Sequence, residues 1–408
     1  MTTTITNSTN CTGCGACRLL CADCCITMES DSEGFSVPKI NEINCTDCGV
    51  CIARCPANDT EKYKNKQHLS VLGIRHKNDE ILQKSASGGI FAGIAAKILE
   101  TPENAVFGSA FDEKIVAKHV CIRDIKDIEL CQSSKYVQSD TGDTYLQAKE
   151  LLDDGNTVFY TGCPCQIAGL YAFLGKDYDL LLTIDLICHG VPSPLLFKKY
   201  IMRLGKKFGG EIIYYNFRCK EKSGWGIKAK TKTKTKTIYP RLDPYYNSFL
   251  QNITHRECCY TCAYASRNRV GDITIGDFWG VELFHPRFHD ARGVSVATIN
   301  TSKGEKFFKS AHSDFEVLES SFSNASYMNK NLCNPSQRPP MRDLAYCGIN
   351  DESLDIFCGG AYKIKTSDII VTHIKQLIKK VAPSFALRAH KFIKHKIFVF
   401  HKKRVNNT

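Results

Sequence analysis

Eight cysteines in two short repeats constrain this chain more than any other feature. Cys11, Cys14, Cys17 and Cys21 follow C-x2-C-x2-C-x3-C, and Cys45, Cys48, Cys51 and Cys55 repeat the spacing with Pro56 after the last. A loop of that spacing can wrap three thiolates around one corner of a cubane iron-sulfur cluster, and the fourth ligand comes from the other repeat. The spacing predicts one 4Fe-4S cluster on Cys11, Cys14, Cys17 and Cys55. It predicts a second on Cys45, Cys48, Cys51 and Cys21. A pair of zinc sites is the alternative, but zinc knuckles pair two C-x2-C units and have no use for a third cysteine at the same interval. Ala22 stands where a proline is usual in such a repeat, and Cys24 and Cys25 just beyond it read as small packing residues.

A chain of 408 residues can bury a real core without disulfide staples. Its first residues, "MTTTITNSTN", have neither a basic nor an apolar leader segment, and no uncharged apolar run is long enough to span a bilayer. The expected location is the reducing cytoplasm, where 22 cysteines point to ligands and redox groups rather than to disulfides.

Beyond the polar stretch "PANDTEKYKNKQ", strand-like and helix-like segments alternate. "NAVFGSAFD", "KHVCIR", "NTVFYTG" and "DLLLTIDLIC" read as strands, the last apolar throughout as expected of a strand covered on both faces. "TGDTYLQAKELLDDG", "CQIAGLYAFLG" and "SPLLFKKYIMRLGKKFG" read as helices. The pattern predicts an α/β class, mixed with α+β elements, behind a small ferredoxin-like module. In "KSASGGIFAGIAAKILE", Ser87, Gly88 and Gly89 open a helix whose free N–H groups suit an anion, with an ordinary glycine-rich cap as the plainer reading. In "TGCPCQ" and "DLICHGVPSP", Cys163, Cys165, Cys188 and His189 follow strands at the edge where open α/β sheets hold ligands. "HRECCYTC" adds Cys259 and Cys262 as a C-x2-C pair, with Cys258 beside it.

These segments, with "SSKYVQSD" and "CYTCAYASRNRVGDITIGDFWG", resemble the coenzyme F420 hydrogenase/dehydrogenase beta-subunit family from about residue 11 to about residue 300, in the family's order. The resemblance implies a dicluster 4Fe-4S ferredoxin domain over 1–62, a flavin-binding region over 70–155 and a C-terminal-type region over 156–320. An extension over 321–408 follows. It further implies bound FAD and a third 4Fe-4S cluster. Cys165, Cys188, Cys259 and Cys262 match the positions taken to hold that cluster, with Cys163 and Cys258 as substitutes and a zinc knuckle as the alternative. For FAD, Ser87, Gly88 and Gly89 fit phosphate contacts, and Lys135 and Tyr136 fit a charge and a stacking or ribose contact. Thr161, Gly162, Gln166, Asp272, Gly276, Asp277 and Trp279 complete the set, although strict alternation also makes Trp279 a candidate for core packing. His189 is either a catalytic proton relay or a residue that orients its loop.

The implied function is an iron-sulfur flavoprotein oxidoreductase. It would pass electrons from a low-potential donor, such as ferredoxin or a hydrogenase or dehydrogenase subunit, through the clusters to FAD and a small-molecule, two-electron substrate. Relatives of this layout look associated with polysaccharide genes, which makes a sugar-linked or isoprenoid-linked substrate conceivable. A non-catalytic electron-transfer subunit and a zinc-rich binding module are the rivals.

Of the net charge of +12, ten positive charges fall after Asp368, where no acidic residue remains. Residues 371–404 therefore read as a basic amphipathic tail, suited equally to peripheral contact with the inner face of a membrane and to a partner. "KAKTKTKTKT" puts Lys228, Lys230, Lys232, Lys234 and Lys236 on one face of an expected edge strand, which discourages aggregation or docks an acidic donor. No motif accompanies these lysines that would indicate nucleic acid. Cys333, Cys347 and Cys358 read as small hydrophobes.

Overall fold

The computed structural model describes residues 5–7, 9–221, 224–364, 366, 369–370 and 372–374. At the N-terminus, α1 (Ala16–Leu20) and α2 (Val50–Ala53) each start inside a cysteine repeat, and between them β1 (Ile26–Ser30) pairs antiparallel with β2 (Ser36–Ile40). Cys17, Cys21, Cys45, Cys51 and Cys55 pack around buried Ile5, Cys25 and Ile26, so sulfur fills much of this small interior. Cys24 is exposed and does not pack, whereas Cys25 does. The polar stretch that follows is fastened rather than loose. Asn65 N–H donates to the Arg269 carbonyl at 2.7 Å, and its side chain donates to the carbonyls of Val270 and Gly271.

The rest of the chain alternates as its apolar runs predict, giving a mixed α/β fold. Its strands are β3 (Ser70–His76), β4 (Ala105–Phe111), β5 (Ala117–Ile122), β6 (Val158–Gly162), β7 (Leu181–Leu186), β8 (Tyr214–Glu221), β9 (Gly224–Lys230), β10 (Thr235–Ile238), β11 (Ile273–Asp277), β12 (Ser295–Ile299) and β13 (Phe315–Ser320). Its helices include α3 (Asp79–Lys84), α4 (Ile90–Ile98), α5 (Ile128–Cys131), α6 (Thr144–Asp153), α7 (Pro164–Leu174), α8 (Pro194–Phe208) and α9 (Pro244–Leu250). Eight strands make one sheet in the order β13, β3, β12, β11, β7, β6, β4, β5. The central strands β11, β7, β6 and β4 run parallel. Both β3 and β11 pair antiparallel with β12, so β3 shares their direction. The ends of β3, β4, β6, β7 and β11 thus gather at one edge.

Alternation along β6 assigns its two faces. Phe159 packs with Ile90, Ile94, Val106 and Leu182, while Val158 and Tyr160 pack with Tyr145, Ile167 and Leu170 of α6 and α7. Each such fully buried aliphatic side chain contributes about 1.5–3 kcal/mol. A third core of Phe197, Tyr200, Tyr215, Phe217 and Tyr245 joins α8 and α9 to the separate sheet β8, β9, β10.

The lysine run does not form one strand. Thr231 and Lys234 close a turn between β9 and β10, with Thr231 N–H donating to the Lys234 carbonyl at 2.8 Å, so Lys228 and Lys230 lie on one strand and Lys236 on its partner. The threonines, expected to face away from the lysines, let the chain turn instead, because Thr231 Oγ1 accepts from Lys234 N–H at 3.1 Å. β10 is one of the two edge strands of this sheet, with β8 the other. Cys347 and Cys358 are exposed and do not pack, and Cys333 is half-buried. Among the described residues no helix is long and apolar enough to cross a membrane. Lys375 and the rest of the basic tail lie outside the described residues.

One buried ion pair fixes the end of β7. Asp185 accepts from Arg269 Nη2 at 3.2 Å and from the N–H groups of Val270 and Gly271 at 3.0 and 2.9 Å, and both side chains are fully buried. Asp185→Ala should cost on the order of 3–5 kcal/mol, since it leaves a buried guanidinium uncompensated. Chemical denaturation would read this as a lower midpoint, and an unchanged midpoint would show the pair to be dispensable.

Candidate metal centres and the cluster at the sheet edge

Folding divides the proposed ligand cysteines into three neighbourhoods. Cys14 is buried, and burial first, then the nearby Cys11 and Cys55, push its thiol up to about 11. Cys17 is raised by burial and by Cys14, Cys11 and Cys55. Cys51 is raised by burial, with Cys48 and Cys21 as further contributors, and Cys25 is raised by Cys21 and Cys45. Cys14 and Cys17 thus lie near Cys11 and Cys55, and Cys51 lies near Cys48 and Cys21, while Cys55 has both Cys11 and Cys51 as neighbours.

The third neighbourhood forms at the sheet edge. Cys163 caps α7, with its N–H donating to Gln166 Oε1 at 2.9 Å, and Pro164 starts the helix without needing a partner for an N–H. Cys188 follows β7, and its sulfur lies 3.8 Å from Cys163. Cys259 and Cys262 come from the turn at Glu257–Thr261. Gly190, with φ +124°, lets the loops meet, because a Cβ there would stand 2.6 Å from His255 and 3.1 Å from Cys259 Cβ. Cys165 is raised by burial, then by Cys262, Cys188 and Cys259, and Cys262 is raised to about 11 by burial and by Cys259 and Cys188. Cys188 is lowered, chiefly by the hydrogen bond with Cys163, and Cys163 is raised by the same bond and by burial. Among the described residues no three His, Cys, Asp or Glu side chains converge on a single ion. The thiols of a cubane each bind a different iron, so convergence on one point is not their requirement.

Beside these thiols the strand ends gather a basic and aromatic cluster. Asp277, the last residue of β11, accepts from Arg218 Nη1 at 2.5 Å and from Trp279 Nε1 at 3.2 Å. The Arg218 guanidinium lies 4.2 Å from the Trp225 ring centroid, and Lys220 Nζ lies 5.1 Å from it. Lys220 also donates to the Ser87 carbonyl at 3.1 Å. Trp279 is 42% exposed, so it is not core packing, and its ring lies 5.2 Å from His189. His189 Nε2 is buried without a hydrogen-bond partner, and burial lowers the imidazole's pKa.

Ser87, Tyr136, His189, Asp277 and Trp279 lie in this cluster, Tyr136 through an Arg218 Nη1 donor 3.5 Å from its OH, whereas Thr161 and Gly162 end β6 beside His119 and Gln166 and other expected FAD contacts are committed elsewhere. Gly88 N–H donates to Ser295 Oγ at 2.8 Å, so it is not a free anion donor, and Gly89 packs against His76. Lys135 donates to the carbonyls of Leu130, Gln132 and Ser133, capping α5, and burial lowers it to about 8. Gln166 caps α7 and donates to the Ser139 carbonyl. Asp272 lies at the opposite end of β11, where it accepts from Thr183 and Thr301. Gly276 lies against Ile187. Arg218, Lys220 and Trp225 were missed by the reading of motifs. The alternation of Arg218 and Lys220 on one strand face was a visible signal, but the pairing of Lys220 with Trp225 depends on the register of β8 and β9.

Residues 155–323 match the family described as the C terminus of the coenzyme F420 hydrogenase/dehydrogenase beta subunit. No curated protein matches the chain. Among solved structures, a chain of the xenon-derivatised F420-reducing [NiFe] hydrogenase complex from Methanosarcina barkeri is similar at 19% identity and a TM-score of 0.46, over 65% of this chain and 88% of that one.

Lys220 is lowered to about 7, by burial first and then by Arg218 and Arg292, against the opposing pull of Asp277 and Asp290. Between that value and the ordinary 10.5 the unfolded chain holds a proton that the folded chain has lost, so stability rises with pH across this window. In a Trp279→Phe background, Trp225 emission should change with a midpoint near pH 7. The change should vanish in Lys220→Arg, and a flat titration with Lys220 in place would refute the assignment.

Proposed function

We propose that the chain, whose residues 155–323 match the C terminus of the coenzyme F420 hydrogenase/dehydrogenase beta subunit, is an iron-sulfur flavoprotein of that kind and serves electron transfer. Its twelve named cysteines would hold three 4Fe-4S clusters, and the basic and aromatic residues at the sheet edge would hold FAD. Bound clusters supply one-electron transfer, and FAD supplies the exchange between one-electron and two-electron chemistry.

The observation that carries this reading is the contact between the first thiol group and the third. A Cβ built on Gly169 would stand 2.9 Å from Cys14 Cβ, so only glycine lets Cys14 lie against α7. Cys165 is one helical turn away on the same face, and Cys14 is among the charges that perturb it. The Cys21 group, the Cys11 group, the Cys165 group and the sheet-edge cluster thereby form a continuous series through the protein. Arg218 and Lys220 suit phosphate or another anion, Trp225 and Trp279 offer ring faces, and His189 offers an unpartnered nitrogen. These residues fit an anionic, aromatic cofactor better than Lys135, Gln166 and Asp272 do. A low-potential protein donor and a small-molecule substrate complete the proposal. The basic tail remains a candidate for contact with a membrane or a partner.

Anaerobically purified protein should show flavin absorption above a broad iron-sulfur shoulder and about twelve iron atoms per chain, on the count of three cubanes. Cys259→Ser combined with Cys262→Ser should lower iron to about eight. Unchanged iron would exclude the third thiol group as ligands. A shoulder without flavin would favour an electron relay that docks on a larger oxidoreductase.

A further inference from the structure

Cys25 belongs to neither cysteine repeat, yet the fold aims its sulfur at a proposed ligand. A tight turn in which Cys24 N–H donates to the Cys21 carbonyl at 3.1 Å, with Cys24 at φ +49°, folds the chain back on itself. Asn41 N–H then holds the Cys25 carbonyl at 2.8 Å at the start of β1. The result places Cys25 Sγ 3.2 Å from Cys21 Sγ, with Cys25 N–H a further donor to Cys21 Sγ at 3.4 Å. Cys25 is 5% exposed and packs with Cys21 and Cys45. The second repeat has no counterpart, since Asp59 stands four residues after Cys55.

We propose that the Cys25 thiol, held 3.2 Å from Cys21 Sγ, donates an S–H hydrogen bond to it, raising the reduction potential of the centre that Cys21 would share with Cys45, Cys48 and Cys51. This rests on the ligand assignment above. Ligation removes the proton of Cys21 and leaves that of Cys25, so the pair holds one donor and one acceptor. Reduction adds negative charge that spreads onto the ligand sulfurs, and a donor to one of them stabilises the reduced state more than the oxidised. The two centres of the N-terminal module therefore become inequivalent, with the one on Cys21 the better electron acceptor. Cys25 acts here as a positioning residue, through Cys21.

The test is an EPR-monitored redox titration of the full-length protein and two variants, with iron determined in each. In Cys25→Ala, one potential should fall by an amount corresponding to about tenfold in the reduction equilibrium, ~59 mV for one electron. The other potentials and the iron content should be unchanged. Cys25→Ser, whose hydroxyl remains a donor, should stay close to wild type. Unchanged potentials in Cys25→Ala with full iron would overturn this inference and leave the ligand assignment standing. A serine variant shifted as far as the alanine variant would also overturn it. Loss of about four iron atoms from Cys25→Ala would make Cys25 a ligand rather than a donor. Wild-type protein lacking cluster signals would instead overturn the ligand assignment itself.

Discussion

The pairing of Arg269 with Asp185 is the constraint on which the candidate site depends. Both side chains are withdrawn from water, which would cost several kcal/mol per ion if either stood alone. The geometry answers that cost. Arg269 donates to the carbonyls of Tyr264 and Leu186 as well as to Asp185, and Asp185 accepts from two backbone N–H groups besides. One guanidinium therefore ties the segment after Cys262 to the strand end before Cys188. The Arg256 N–H, which donates to the Val191 carbonyl at 2.9 Å, adds a second tie between the two loops that approach closely at Gly190.

A second set of polar bonds seats the N-terminal module on this body. Arg256 donates to the Cys11 carbonyl at 2.8 Å and to the Ser36 carbonyl at 3.0 Å, and it sits three residues before Cys259. Thr141 donates to the Cys14 carbonyl at 3.0 Å, and Tyr264 OH donates to the Pro56 carbonyl at 2.7 Å. Arg342 grips Glu33 with both terminal nitrogens, a bidentate pairing that fixes direction as well as distance. Three of these six bonds reach the carbonyls of Cys11, Cys14 and Pro56, so the body positions this part of the N-terminal module through the main chain.

Several residues that motif reading assigns to a cofactor are fasteners of the fold. Asp272 holds β7 and the Ser302–Ser310 helix, Gln166 closes the cap of α7, and Lys135 satisfies the last carbonyls of α5. Each is a buried or half-buried polar group whose loss would leave partners unsatisfied. A motif that recurs for such reasons looks the same in sequence as one that recurs for chemistry. Arg218, Lys220 and Trp225, the side chains proposed to face a cofactor, lie instead in a stretch that no motif covers.

Local rules made much of this protein legible from its sequence. Apolar runs bounded by glycine and proline predicted β4, β6, β7, α7 and α8 within a residue or two and α6 within three, since periodicity and capping act over one or two turns of chain. Cysteine spacing within each repeat predicted which thiols can share a loop, because a few residues of backbone set that reach. Tertiary structure decided what local rules cannot encode. It placed Cys14 against Gly169, brought Cys188 to Cys259 and Cys262, folded the lysine run into a hairpin, and turned Asp272 to the far edge of the sheet. These outcomes rest on strand order and on buried polar pairs between residues far apart in sequence, and a side chain's identity does not say which distant partner will satisfy it.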